Sequence, residues 1–289
     1  MMRLKAPKHS FLNSIDKCCD GITGNNVLKN KVIQSKNALE AFEQVYSASG
    51  QTGELFTFAP LKCGKNDDPV VLGNLTKSEL VKLYDSYFVG SKKPGRSIYN
   101  SLMLAADEKC PFCGGIGRPR NLDHYLPKAH FPFFSVLPIN LVPSCRDCNM
   151  DGKGQGFAIS KGMQVIQPYL DDLKFFNEQW IYASYTPGVN DEPGTFVYSV
   201  NPPENWDIEE KKRVHTHFKD FDLAVRYATK AAEELITCLT QINSLKSLNI
   251  PDNQIKQALI EPVIAQAPFV NHWRRGMYQV IGQILLNGD

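Results

Sequence analysis

Apolar positions in the first hundred residues recur at three- and four-residue steps. Val27, Leu28, Val32, Leu39, Phe42, Val45 and Tyr46 follow this spacing, which predicts a helix opened by Asn25 or Asn26 and running to about residue 49. Gly50 and Gly53 are expected to stop it. Thr76-Lys-Ser-Glu79 has capping-box spacing and predicts a second helix to about Val89, closed by Gly90 and Pro94-Gly95. A third, over about 97–108, leads to a cysteine. From about 110 to 153 the pattern changes to glycine, proline and short apolar runs. Two aromatic, strand-like pieces follow at 180–185 and 195–200, flanking a proline- and glycine-rich stretch, 187–194. They predict a hairpin with a loose loop. The last third is helical over about 208–248 and 252–286, interrupted near Ile250-Pro251.

These elements predict an α+β fold in three parts: a helical region, 1–108, a central module, 109–160, and a mixed, then helical, region, 161–289. No apolar run approaches the ~20 residues of a membrane span. The basic start of the chain leads into no apolar segment, so a cytoplasmic location is expected. With 43% hydrophobic and 21% charged residues in 289, wholesale disorder is excluded. The net charge is only +2, so nucleic-acid binding would have to rest on a local patch. Between Lys109 and Lys161 there are seven Lys/Arg against three Asp, a modest excess that suits a polyanionic partner without requiring one.

Four of the eight cysteines form two C-x-x-C pairs, Cys110-Pro-Phe-Cys113 and Cys145-Arg-Asp-Cys148. Paired knuckles of this kind predict a structural zinc site: each offers two thiolates, and two close a tetrahedron. Cys18-Cys19 cannot chelate one metal alone and is expected to pack as small residues.

Between the knuckles lie 31 residues, more than a plain zinc ribbon needs. They contain Leu122-Asp-His-Tyr-Leu-Pro-Lys128 and Pro138-Ile-Asn-Leu-Val-Pro143, and Asn149 follows the second knuckle directly. The order C-x-x-C, Asp-His, Asn-Leu-Val-Pro, C-x-x-C-Asn resembles the HNH endonucleases of the ββα-metal superfamily, in the subgroup stapled by four cysteines. The resemblance covers about 45 residues. It implies a strand ending near Asp123-His124, a second strand at about 140–142, and a helix or turn carrying Asn149, with the zinc tying both ends of the unit together.

The same resemblance implies the roles. His124 would be the general base, its near-neutral pKa suited to the task. Asp123 and Asn149 would hold a catalytic Mg²⁺ or Mn²⁺, and Asn140 would orient the His124 ring. Lys128, Arg146 and Lys153 would clamp phosphates. Two departures stand out: the family's common lysine follows its last motif residue by three positions, whereas Lys153 follows Asn149 by four, and the third motif position is Asn rather than His. The plainer readings make Asp123-His124 a buried hydrogen-bonded pair and Asn140 a turn cap. His130 is expected to be structural, and His215 and His217, two positions apart in a helical stretch, are expected to face different sides and not to share a metal.

The string from Asp123 to Asn149 is also similar to HNH proteins of bacterial anti-phage systems, including Septu and retron-linked modules, whose nuclease works beside an ATPase. Three functions follow as expectations: a metal-dependent endonuclease acting on DNA, the same chemistry on RNA such as tRNA, or a zinc-stapled binding module that does not cut. The C-terminal helices, with Trp273, Arg274, Arg275 and Tyr278 on one stretch, are expected to dock a partner or a second copy; the plainer reading is terminal packing.

Overall fold

The computed structural model describes residues 1–64, 66–188 and 194–287; the 189–193 part of the expected hairpin loop lies outside the described residues. The chain divides into two compact units, Met2–Asp172 and Leu173–Asp289 with Met1. The central module is therefore not a separate body: it is enclosed in the first unit with the N-terminal helices.

In that unit, α1 (Phe11–Gly21) is opened by Ser10, whose hydroxyl accepts from the Asn13 amide at 3.2 Å while the Asn13 side chain accepts from Ser10 N–H at 3.3 Å. This short reciprocal cap is the sequence signal for a helix that apolar spacing does not single out. In α2 (Asn26–Gln51), Asn25 Oδ1 accepts from the Leu28 amide at 3.0 Å. Gly50 does not stop the helix but lies inside it. A Cβ there would fall 2.2 Å from Leu170 Cδ1, so glycine is present for close approach. The turn away comes at Gly53, with φ +70°.

A small antiparallel pair, β1 (Val70–Leu72) and β2 (Leu75–Thr76), leads into α3 (Lys77–Lys82). The expected capping box is formed: Glu79 N–H donates to Thr76 Oγ1 at 3.3 Å, and Thr76 N–H donates to Glu79 Oε2 at 3.0 Å. Beyond Lys82 the helix widens into a π-type turn, Leu83–Phe88. Next, α4 (Arg96–Leu104) ends earlier than its apolar spacing predicts. Asp107 and Glu108 take left-handed backbone, at φ 46° and 58°, and swing the chain into the first knuckle.

The central hairpin pairs β3 (Asn121–His124) with β4 (Leu141–Ser144), placing Asp123 opposite Val142 and His124 opposite Leu141. The second strand starts one residue later than expected because Pro138–Asn140 forms a 3₁₀ turn. Around this hairpin the core is aromatic. Phe134 is fully buried, with ring centroids of Phe133 at 4.6 Å, Tyr46 at 4.9 Å and Phe58 at 5.0 Å, edge-on arrangements that such rings favour.

The second unit contains α5 (Lys174–Asn177) and an antiparallel pair, β5 (Ile181–Thr186) and β6 (Thr195–Val200), in register from Ile181↔Val200 to Thr186↔Thr195. The expected helix over 208–248 is two helices, α6 (Ile208–Asp220) and α7 (Leu223–Ser247), divided where Asp222 adopts φ 49°. The expected helix over 252–286 is likewise divided into α8 (Asp252–Ile255), a wide turn Lys256–Ile260, α9 (Glu261–Ala265) and α10 (Trp273–Asn287). Asn271, just before α10, is buried, and its Oδ1 accepts from the amides of Trp180 at 2.8 Å and Ile181 at 3.0 Å. Two of the residues singled out for docking also have partners within this unit, Arg274 remaining exposed. Arg274 and Tyr278 both bond Glu234 of α7, at 2.6 Å and 2.8 Å. Among the described residues no helix is long and apolar enough to cross a membrane.

Candidate functional site

The two knuckles meet. The thiols of Cys110, Cys113, Cys145 and Cys148 are buried, with their sulfurs within 4.8 Å of one another. Tetrahedral zinc with sulfurs at about 2.3 Å would set them roughly 3.8 Å apart, so small side-chain movements complete the sphere. Local backbone prepares the first knuckle. Gly114 and Gly115 take φ 65° and 85°, the Gly115 amide returns to Cys110 O at 2.9 Å, and the Gly117 amide donates to Cys113 Sγ at 3.3 Å. Such a donor stabilises a thiolate ligand. The thiols also compete with one another. Cys145 is drawn down to about 6, first by its hydrogen bond with Cys110. Cys110 and Cys148 are pushed up, first by their bonds with Cys113 and Cys110 respectively. The donor set fits a thiophilic divalent ion, which would let all four ionise.

Beside this cluster, a cleft of about 280 Å³ is lined by, among others, Tyr84, Asn121, Asp123, His124, Lys128 and Asn149. It unites four of the residues selected from sequence. Asp123 is buried, and its Oδ2 receives no hydrogen bond from any described residue. Burial raises its carboxyl to about 6 against the lowering effect of Lys153. Asn149 Nδ2 donates to Asn121 Oδ1 at 2.9 Å, which leaves the Asn149 carbonyl oxygen as its free end. One carboxylate oxygen, ion-paired with Lys153 but not hydrogen-bonded, and one amide oxygen at the same cleft suit a hard divalent ion.

His124 is buried with its Nε2 2.9 Å from the Ser135 carbonyl. A carbonyl only accepts, so Nε2 carries the proton and Nδ1 is the basic nitrogen. The Tyr84 ring stands edge-on to the imidazole with centroids 4.3 Å apart, and the Tyr84 hydroxyl donates to Leu122 O at 3.2 Å. Burial, with smaller contributions from Lys128 and Lys153, lowers the His124 pKa to about 3. The near-neutral value expected from sequence is corrected accordingly: the ring is neutral, not poised. The expected measurement is a His124 ¹³Cε1 shift that stays flat from pH 8 to 5 in metal-free protein; an inflection near 6.5 would contradict the burial account.

Asn140 does not touch the His124 ring. Its Oδ1 accepts from Tyr46 O–H at 2.8 Å and Leu126 N–H at 2.7 Å, and its Nδ2 donates to Leu126 O at 3.1 Å and Phe134 O at 3.2 Å. The expected orienting role therefore passes to the Ser135 carbonyl, and Asn140 instead ties the loop after β3 to α2. Leaving such partners buried and unpaired costs roughly 1–3 kcal/mol each. Asn140→Ala should thus lower stability by several kcal/mol in denaturant unfolding, with a loss under 1 kcal/mol telling against this role.

The three expected clamps separate. Lys128 lines the cleft, is ion-paired with Asp85 and lies 4.9 Å from the Tyr84 ring centre. Arg146 is exposed and is not among the cleft's lining residues. Lys153 points inward: its ammonium donates to the His124 carbonyl at 2.6 Å and lies 3.3 Å from Asp123 Oδ2. It is not a solvent-facing clamp. Sequence reasoning missed Tyr84, Asp85, Ser135 and Asn121. Of these, only Asn121, two residues before Asp123 on one strand, left a local signal. From the Leu83–Phe88 turn, Tyr84 lines the cleft and Asp85 pairs with Lys128 only through tertiary packing. The remaining singled-out groups are structural: His130 lies against Phe157 at 5.0 Å, His217 is buried while His215 is exposed, and the buried Cys18 thiol donates to Leu83 O at 3.7 Å.

Fold and site together define an α+β protein with a buried four-cysteine cluster able to hold a metal ion. The chain is 40% identical over 294 aligned positions to Protein ea31 of Escherichia phage lambda, covering 97% of each chain, and it belongs to the ea31 family. No protein-family model and no solved structure matches it.

Proposed function

We propose that the protein is a metal-dependent endonuclease of HNH type, with Cys110, Cys113, Cys145 and Cys148 holding structural Zn²⁺ and the Asp123–His124–Asn149 cleft carrying the chemistry. The observation that supports this best is the meeting of a histidine with a free Nδ1 and a buried carboxylate oxygen that receives no hydrogen bond in one cleft, next to a buried thiol cluster. A module that only binds has no use for that combination.

In this reading Asp123 and Asn149 would hold Mg²⁺ or Mn²⁺ through a carboxylate and an amide oxygen. When bound, the ion would stabilise charge on the scissile phosphate and the leaving oxygen. His124 Nδ1 takes the proton of the attacking water while Nε2–H stays anchored on Ser135 O, so the ring cannot rotate away. A phosphodiester's negative charge would counter the smaller lowering by Lys128 and Lys153 and so raise the ring's basicity in part, while the larger effect of burial remains. Lys128 contacts a phosphate by exchanging its Asp85 partner. A role in anti-phage defence beside an ATPase rests on the sequence resemblance.

DNA is the proposed substrate, and nothing lining the cleft selects against a 2′-hydroxyl. Parallel incubation with plasmid, linear duplex and total RNA, in Mg²⁺, Mn²⁺ or EDTA, tests the reading. Divalent-dependent cleavage of the DNAs supports it, cleavage of RNA alone reassigns the substrate, and nucleic-acid binding without cleavage in any metal overturns it.

A further inference from the structure

Lys153 is placed oddly for a residue expected to meet phosphate. Its side chain is only 7% exposed, and its ammonium is shut between the His124 carbonyl, at 2.6 Å, and Asp123 Oδ2, at 3.3 Å. The hydrogen bond goes to the carbonyl. The carboxylate oxygen, though buried, is left with charge proximity and no hydrogen bond. A buried ion pair is costly to desolvate and holds its place only when both charges are satisfied; here one is half satisfied. The geometry is that of a carboxylate whose preferred cation is something other than this ammonium.

The chain supplies a route for exchange. Lys153 is the last residue of the wide turn Asp147–Lys153, which also carries Asn149. It is followed by Gly154, at φ 53° and ψ −130°, whose amide closes on Asn149 O at 2.9 Å. Rotation about the Lys153 side-chain bonds, at the very end of this turn, would take the ammonium out of the cleft without moving the backbone that carries Asn149.

We propose that Lys153 is the resident counter-cation of Asp123, holding the place of the divalent ion, so that ion entry and departure of the Lys153 ammonium are a single exchange equilibrium. This rests on the ion-binding half of the function proposed above. It makes the cleft self-neutralised at low Mg²⁺ or Mn²⁺ and requires the ion to displace a tethered competitor.

The test is Mn²⁺ binding to the zinc-loaded full chain, followed by paramagnetic resonance of free Mn²⁺ without nucleic acid. Removing the competitor in Lys153→Met should tighten binding by about tenfold or more, since the ion no longer has to shift a filled state. Lys153→Arg, which keeps the charge, should bind as weakly as the native chain or more weakly. Because Lys153→Met also takes the cation from buried Asp123, the native protein supplies a second reading: acetylation of Lys153, followed by mass spectrometry, should be slow in EDTA and accelerate on adding Mn²⁺, while Lys5 and Lys8 label equally in both. Equal or weaker Mn²⁺ binding by Lys153→Met, or Lys153 labelling that ignores Mn²⁺, overturns the exchange. If those results come with intact metal-dependent cleavage, the nuclease reading survives. If Lys153→Met binds Mn²⁺ tightly yet no nucleic acid is cut, the exchange stands and the nuclease reading falls.

Discussion

Cys145→Ser should leave the Met2–Asp172 unit unable to keep its native state, and added Mg²⁺ should not restore it. A zinc ion on four thiolates contributes on the order of 10 kcal/mol or more in small modules, which is comparable with the whole net stability of a typical domain, about 5–15 kcal/mol. The cluster also closes the ends of the site. Cys110 and Cys113 precede β3 with Asp123 and His124, and Cys145 and Cys148 lead from β4 into the turn with Asn149. Losing one ligand frees both ends and leaves the remaining thiols buried without an ion to discharge them. Soluble yield, circular dichroism and zinc content check this together. A soluble variant with native melting behaviour and no zinc would show that the thiols pack as plain core.

Substitution of His124 is expected to have the second-largest effect, this time on rate. Removing a general base typically costs ~10²–10⁴-fold. His124→Ala also leaves the Ser135 carbonyl unpaired, so His124→Gln is the cleaner variant: its amide can donate to that carbonyl but cannot accept the water's proton. Both should lose cleavage over this range, while His124→Gln melts near the native temperature and still retains nucleic acid. Cleavage within a fewfold of native by a folded His124→Gln chain would remove the histidine from the mechanism. Asn149→Ala should differ in kind, recovering part of its activity at raised Mn²⁺, because it weakens ion binding without deleting the base.

The parts of the fold set by local chemistry were legible in the sequence. The capping box at Thr76 and Glu79, the cap at Asn25 and the knuckle spacing of the four cysteines each depend on groups a few residues apart, and each forms as spacing dictates. The break at Ile250-Pro251 was legible from its proline, but the others were not. Asp222 interrupts α6 and α7 by adopting left-handed backbone, which costs a non-glycine residue little enough that tertiary packing decides it. Similarly, Gly50 looked like a stop and is instead a contact point for Leu170, 120 positions further along. In the site, residue types identified Asp123, His124 and Asn149, but partners came from elsewhere. Nothing near His124 in sequence announces that Tyr84 would cover its ring, and the amide of Asn140 is consumed by Tyr46 and the Leu126 backbone. The direction of Lys153 was equally hidden, since a helix-like turn of one extra residue decides whether that ammonium meets solvent or Asp123.

The most direct measurement of the central claim compares native protein with Asp123→Asn, purified identically and zinc-loaded, on supercoiled plasmid under single-turnover conditions in Mn²⁺. The exchange of one carboxylate oxygen for an amide nitrogen barely alters shape but weakens the ion site. The account predicts nicking by the native chain, reversible arrest by EDTA with about one Zn²⁺ per chain retained, and a loss of at least roughly 10²-fold in Asp123→Asn. Equal rates for the two proteins, or no phosphodiester cleavage by the native chain in Mg²⁺ or Mn²⁺, would contradict it.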